Sequence, residues 1–207
     1  MAPAISPAAP LILGSASPRR REILTYLGVP IRVLPADVPE EVSPGESPAA
    51  YLERIVRDKL GAVLARLRGE TAGDALSGVL VADTIVLLGE RILGKPRDVA
   101  EAVELLTALC GREHRVFTRY ALARAEGTPL VERSVESRVW LREAKNDEIA
   151  RYAATGEGLD KAGAYAVQGV GAFLVRRIEG SYSNVVGLPA CEVVEDLRTS
   201  GLLERFP

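Results

Sequence analysis

The first residues able to do chemistry form one turn, Ser15-Ala16-Ser17-Pro18-Arg19-Arg20-Arg21, which follows the apolar tripeptide Leu11-Ile12-Leu13 and Gly14. A short strand, a small-residue turn and a helix opened by Pro18 make an anion site, because unpaired backbone N–H groups and the helix dipole point the same way. Ser15 and Ser17 add hydroxyl donors, and the guanidinium forks match phosphate geometry. Three positive charges at a helix start oppose its dipole, which weighs against a merely solvated basic patch. The turn is neither GxxxxGK[ST] nor GxGxxG.

A second feature is VLVADTIVLL, where Asp83 and Thr84 interrupt an apolar run. Burying a carboxylate costs several kcal/mol unless it is paired or holds a metal. A structural salt bridge, a general base toward water and a Mg²⁺ ligand all remain open for Asp83. Lys95, between Gly94 and Pro96, has a constrained backbone that would aim its ammonium, although an ordinary turn lysine reads the same way. Residues 155–171, TGEGLDKAGAYAVQGVG, mix acids, Lys161 and Gln168 with glycines in a stretch too apolar for a simply solvated loop. The Gln168 amide could read a base edge through its paired donor and acceptor. Glu40, Glu41 and Glu46 read as solvated loop acids, and Asp98, Glu101 and Glu104 as a solvated helix face. His114 reads as structural. Cys110 and Cys191 form no CxxC pair and no zinc set, and read as buried, reduced thiols.

The elements that must position these groups follow from periodicity. Strands are expected at 11–13, 31–34, 78–88, 91–93, about 113–125, about 130–142 and 173–178. Helices are expected from Pro18 to about Leu27, from Pro48 onward, and over 98–110, about 145–154 and 189–199. Residues 69–77 read as a polar break. Strands and helices interleave, which predicts an α/β fold with a central mixed β-sheet flanked by helices. Residues 1–10, rich in proline and alanine, read as a disordered lead, and 11–207 as a single domain.

The 207 residues carry 26 Lys+Arg against 28 Asp+Glu, a net charge of −2. That balance argues against binding duplex nucleic acid, even with Arg19 to Arg21 clustered. No apolar run reaches the length of a membrane span, and the N-terminus is not a signal peptide, so a cytoplasmic location is expected.

Taken together, LILGSASPRRREIL, PGESPAAYLERIVRDK, VADTIV, GKPRDVAEAVELLTALCGREHRVFT, TGEGLDKAGAYAVQG and GSYSNVVGLP resemble the Maf family of nucleoside-triphosphate pyrophosphatases, over about residues 11 to 189. The resemblance implies an inosine-triphosphatase-like fold of two lobes with the site in a cleft. It implies a nucleoside triphosphate substrate, cleavage between its α- and β-phosphates, and a divalent cation, Mg²⁺ or Mn²⁺. Residue by residue, Arg20, Ser15 and Ser17 fall on the phosphate-binding positions, Asp83 on the proton acceptor, and Lys59 and Lys95 on the functional lysines. Glu40 falls on a loop acid usually preceded by aspartate, where this chain has Pro39. Asp83 and Glu40 are the implied metal ligands, and Lys161 is an implied substrate contact. One subclass, acting on dTTP and UTP, carries Arg, Thr and Gln where its sister, acting on 7-methyl-GTP, carries Trp, Gln and Glu. Arg19, Thr84 and Gln168 match the first. The rival readings are the sister activity and a non-hydrolytic nucleotide-binding regulator of division. A homodimer is a reasonable expectation from family habit.

Overall fold

A computed structural model of the chain describes residues 3–69 and 75–206. The chain opens with strand β1 (Leu11–Leu13), helix α1 (Pro18–Tyr26), strand β2 (Ile31–Val33) and the long helix α2 (Pro48–Gly69). Strand β3 (Gly78–Leu88) and β4 (Arg91–Leu93) form a hairpin through Gly89-Glu90, and helix α3 (Val99–Leu109) follows. Strands β5 (Glu113–Arg124) and β6 (Pro129–Leu141) lead to helix α4 (Asn146–Ala154). After two 3-10 turns come strand β7 (Val175–Glu179), the short helix α5 (Tyr182–Val186) and helix α6 (Ala190–Thr199).

One sheet holds all seven strands in the order β2-β1-β3-β5-β6-β7, with β4 on β3. β1 runs parallel to both β2 and β3, whereas β4 on β3 and β7 on β6 are antiparallel. The expected mixed α/β sheet is therefore present. The parallel strand β1 reads Leu-Ile-Leu and is wholly buried, as parallel strands covered on both faces must be. β6 alternates exposure along most of its length, as a strand with one wet face does.

The chain divides into two compact units. The first comprises residues 1–83, 119–134 and 187–207, and the second 84–118 and 135–186. Leu11, Ile12, Leu13, Leu24, Ile55, Val63 and Leu80 form the fully buried interior of the first. In the second, Leu105, Leu106 and Leu109 of α3 pack with Val116, Val139, Ile149 and Tyr152. Each such leucine contributes about 2 kcal/mol by leaving water.

Three expectations differ from what folds. Composition suggested a disordered lead, yet in residues 3–10 the Ile5 N–H donates to the Leu202 carbonyl at 2.8 Å, Ser6 pairs with Ala9, and Ala9 is buried. The strand expected from Phe173 starts at Val175, because Val170–Leu174 winds into a 3-10 turn. The thiols are less buried than expected: Cys110 is half-buried, and Cys191 is exposed near the start of α6. Part of the expected break at 69–77, residues 70–74, lies outside the described residues.

Candidate active site

Helix α2 buries Tyr51, Leu52, Ile55, Val56, Lys59 and Val63, an apolar stripe at three- and four-residue spacing with one charge in it. Lys59 is only 6% exposed, so its ammonium needs partners. It has two. Nζ donates to Asp83 Oδ1 at 2.6 Å and lies 2.7 Å from Glu40 Oε1. Asp83, 8% exposed within β3, thus has a lysine partner, and the carboxylate it shares that lysine with comes from a loop.

Residues around Glu40 are strapped to α2. Tyr51 donates its hydroxyl hydrogen to the Glu40 carbonyl at 3.1 Å. Arg54 grips Glu46 through Nε at 2.7 Å and Nη2 at 2.8 Å, and reaches the Glu41 carbonyl at 3.0 Å. The Arg54 hydrogen bonds, then the Ser43 N–H, pull the Glu46 carboxyl down to about 2. Burial, then the charges of Asp83 and Glu40, push the Tyr51 phenol above its ordinary range, so it stays a neutral donor. Glu46 therefore anchors its loop rather than being merely solvated, and Tyr51, Arg54 and Glu46 are site-supporting residues that periodicity does not reveal. The available signal was an acid and an arginine eight residues apart across a loop–helix junction.

The serine–arginine turn lies in the same unit. Gly14 is obligatory there: a Cβ would come within 2.7 Å of Val81 Cγ1 and 2.8 Å of Val63 Cγ2. Ser15 Oγ accepts from the Ser17 N–H at 3.2 Å and from Arg20 Nη1 at 3.0 Å. Ser17 caps α1. Both oxygens act as acceptors, which leaves each hydroxyl hydrogen for an outside acceptor. Arg20 is buried, its Nε donating to the Gly187 carbonyl at 2.8 Å and its Nη1 to the Ala82 carbonyl at 2.8 Å as well as to Ser15. Three of its five N–H donors thus hold chain segments together. Burial lowers the pKa of this guanidinium, against the opposing pull of Asp83.

Ser15, Ser17, Arg19, Arg20, Glu40, Lys59 and Asp83 all fall in the first unit, and Thr84, Lys95, Lys161 and Gln168 in the second. Alternation along β3 turns Thr84 to the face opposite Asp83. There its hydroxyl lies 2.9 Å from that of Thr118, which donates to the Asn184 carbonyl at 3.1 Å. Because Thr118 has one hydrogen and spends it there, Thr84 supplies the hydrogen between the two hydroxyls. Lys95 is exposed, and the Gly163 N–H donates to the Gly94 carbonyl beside it at 3.1 Å. Lys161 Nζ is held within its own loop by the Glu157 carbonyl and Asp160. Gln168 is exposed. His114, on β5, is buried, its Nε2 lying 2.8 Å from the Tyr165 hydroxyl.

Asp83 and Glu40 bring two hard carboxylates to the same ammonium, Lys59 Nζ. That donor set suits Mg²⁺ or Mn²⁺, which take one or two carboxylates and complete their shell with phosphate oxygens and water. Among the described residues no cluster of three or more His, Cys, Asp or Glu side chains could hold an ion unaided.

The chain is 48% identical over 193 residues to a dTTP/UTP pyrophosphatase of Geobacter sulfurreducens, covering 93% of this chain and 97% of that one. It is 48% identical over 192 residues to a dTTP/UTP pyrophosphatase of Myxococcus xanthus, covering 93% of both. With one of Geobacter metallireducens it shares 46% over 193 residues, covering 93% and 97%. A solved nucleoside-triphosphatase, the dITP/XTP pyrophosphatase of Mycobacterium abscessus, aligns over 93% of each chain at 14% identity and a TM-score of 0.39, too slight a likeness to bear on chemistry. Residues 10–200 match the Maf-like protein family as a whole. With the serine–arginine turn, the buried acid of β3 and its lysine all inside that span, the chain belongs to the Maf family.

Proposed function

We propose that this protein is a nucleoside-triphosphate pyrophosphatase that hydrolyses dTTP and UTP to the monophosphate and pyrophosphate. The observation that carries the reading is Lys59, buried and shared by Asp83 and Glu40, in one unit with the serine–arginine turn. A purely structural ion pair needs one acid, and replacing such pairs by apolar residues is often neutral or stabilising. The names borne by relatives at 46–48% identity support the substrate.

In the mechanism, water attacks the α-phosphorus in line, a new O–P bond forms, and the bond from that phosphorus to the bridging oxygen breaks, releasing pyrophosphate. Asp83 accepts the water's proton. Lys59, beside that carboxylate, joins Arg20 and Lys95 in offsetting charge growing on phosphate oxygens, the dominant need in this chemistry. The hydroxyls of Ser15 and Ser17 donate to the phosphate chain. A divalent cation held by Asp83 and Glu40 would add Lewis-acid polarisation of those oxygens. Arg19, Thr84, Lys161 and Gln168 are assigned to binding and choosing the nucleotide, the Gln168 amide offering a donor and an acceptor to an imide edge.

A panel of nucleotides with product identification tests reaction and substrate together. The expected products are UMP or dTMP with pyrophosphate. Preference for 7-methyl-GTP, release of orthophosphate, or tight UTP binding without turnover would each overturn the reading. The same proposal takes the enzyme as cytoplasmic and as a homodimer, the latter tested by sedimentation velocity; no described helix is long and apolar enough to cross a membrane.

A further inference from the structure

The stretch carrying Gln168 is held on both sides by one carboxylate. Downstream of Gln168, the Val170 N–H donates to Glu157 Oε1 at 2.9 Å and the Gly171 N–H to Glu157 Oε2 at 2.7 Å. Upstream, the Ala166 N–H donates to the Tyr152 hydroxyl oxygen at 3.0 Å, and that hydroxyl donates its hydrogen to Glu157 Oε2 at 2.9 Å. The direction of each bond is forced, because a backbone N–H can only donate and a carboxylate can only accept. The five-residue span from Ala166 to Val170 is thus closed around Gln168 by Glu157 directly and through Tyr152.

The packing leaves no slack. A Cβ at Gly169 would lie 2.2 Å from Glu157 Oε1, and one at Gly171 would lie 2.4 Å from both the Tyr152 hydroxyl and the Ala166 carbonyl. Tyr152 is buried on α4, and Phe173 meets its ring edge-on at 5.8 Å. The clamp is therefore mounted on a packed helix. A short exposed loop held by three donors to one carboxylate is more tightly fixed than a solvated turn needs to be, and its one polar side chain at the tip is the exposed amide of Gln168.

We propose that Glu157 and Tyr152 are positioning residues for substrate choice: they fix the backbone on either side of Gln168 so that its amide meets the pyrimidine edge in one orientation. This rests on Gln168 reading the base. Glu157→Gln is the isosteric test, since its amide nitrogen would face a donor hydrogen. Tyr152→Phe is the second variant, keeping the ring and its packing while losing only the hydroxyl.

The experiment measures kcat and KM for UTP, dTTP, CTP and GTP in both variants, in Gln168→Ala and in each double variant, with melting curves alongside. Expected are a KM for UTP and dTTP raised about tenfold with kcat held within about twofold, and reduced discrimination against CTP and GTP. The double variants should be no worse than Gln168→Ala alone, because residues acting through one another are non-additive. Unchanged KM and discrimination in both variants, or losses that simply multiply with that of Gln168→Ala, would overturn the proposal while leaving the base-reading role of Gln168 standing. Wild-type selectivity in Gln168→Ala would instead remove that role, and this inference with it.

Discussion

At the scale of single residues, Lys59 is the most consequential side chain. Replacing it by methionine keeps the volume of its stem but leaves Asp83 buried without its ammonium. The expected cost is about 3 kcal/mol in unfolding free energy, the usual scale for stranding one member of a buried pair, read by urea titration. Asp83→Asn should lower kcat by roughly 10²-fold with the fold retained, the scale for losing a general base. Near-normal turnover would remove Asp83 from the mechanism. His114 offers a prediction at a different readout. Burial lowers its pKa to about 4 from 6.5, against a small opposing pull from Glu113. The folded state therefore favours the neutral ring, and between these values the unfolded chain binds more protons. Stability should be full above about pH 6.5, fall as the pH drops toward 4, and level off below, by about 3 kcal/mol in all. A His114→Phe variant should lose that segment of the pH–stability curve. Asp83 was legible in the sequence because an acid amid eight apolar neighbours needs a reason. Its partner was not legible from pattern, since a lysine on a helix stripe 24 residues away carries no mark of where its tip ends, and it was the family resemblance that pointed to Lys59.

Elements were the more readable level. Bounds of α2, β3 and β4 follow from periodicity and from glycine and proline punctuation, and the folded ranges agree closely with the sequence reading. Loops were less legible. Glu46 looked solvated, yet Arg54 and the Ser43 N–H make it the buckle of the segment that delivers Glu40. Arg54→Ala should release that segment and lower kcat about tenfold, with the melting temperature shifted only modestly, because the pair is part-buried rather than a core ion pair. An intact rate would show that Glu40 needs no strap. The five-residue helix α5 and the 3-10 turn at 170–174 are too short for periodicity to register. What holds that turn is the distant Glu157 carboxylate, a tertiary contact. Asp98 was read as part of a solvated face, whereas it caps α3 through the Glu101 N–H at 2.8 Å. Asp98→Ala should therefore cost about 1 kcal/mol, measurable by thermal or urea unfolding.

Over the whole molecule, the residues assigned to proton and charge handling gather in one compact unit, apart from Lys95, while Thr84, Lys161 and Gln168 belong to the other. Asp83 and Thr84 are neighbours in sequence and yet belong to different units, so one strand carries both assignments. The mixed sheet was readable from interleaved strands and helices; a division in two came only from the family resemblance and not from pattern, because β3, β5 and β6 are each continuous while belonging to both units. The paired cluster has a consequence for how substrate arrives. Asp83 and Glu40 are matched in formal charge by Lys59 and Arg20, and the chain as a whole carries only −2. Such a protein exerts little long-range pull on a polyanion, so capture depends on short-range fit rather than on steering. Raising the salt from about 50 to about 200 mM should then change kcat/KM for UTP by less than about twofold, where an electrostatically guided enzyme would slow steeply.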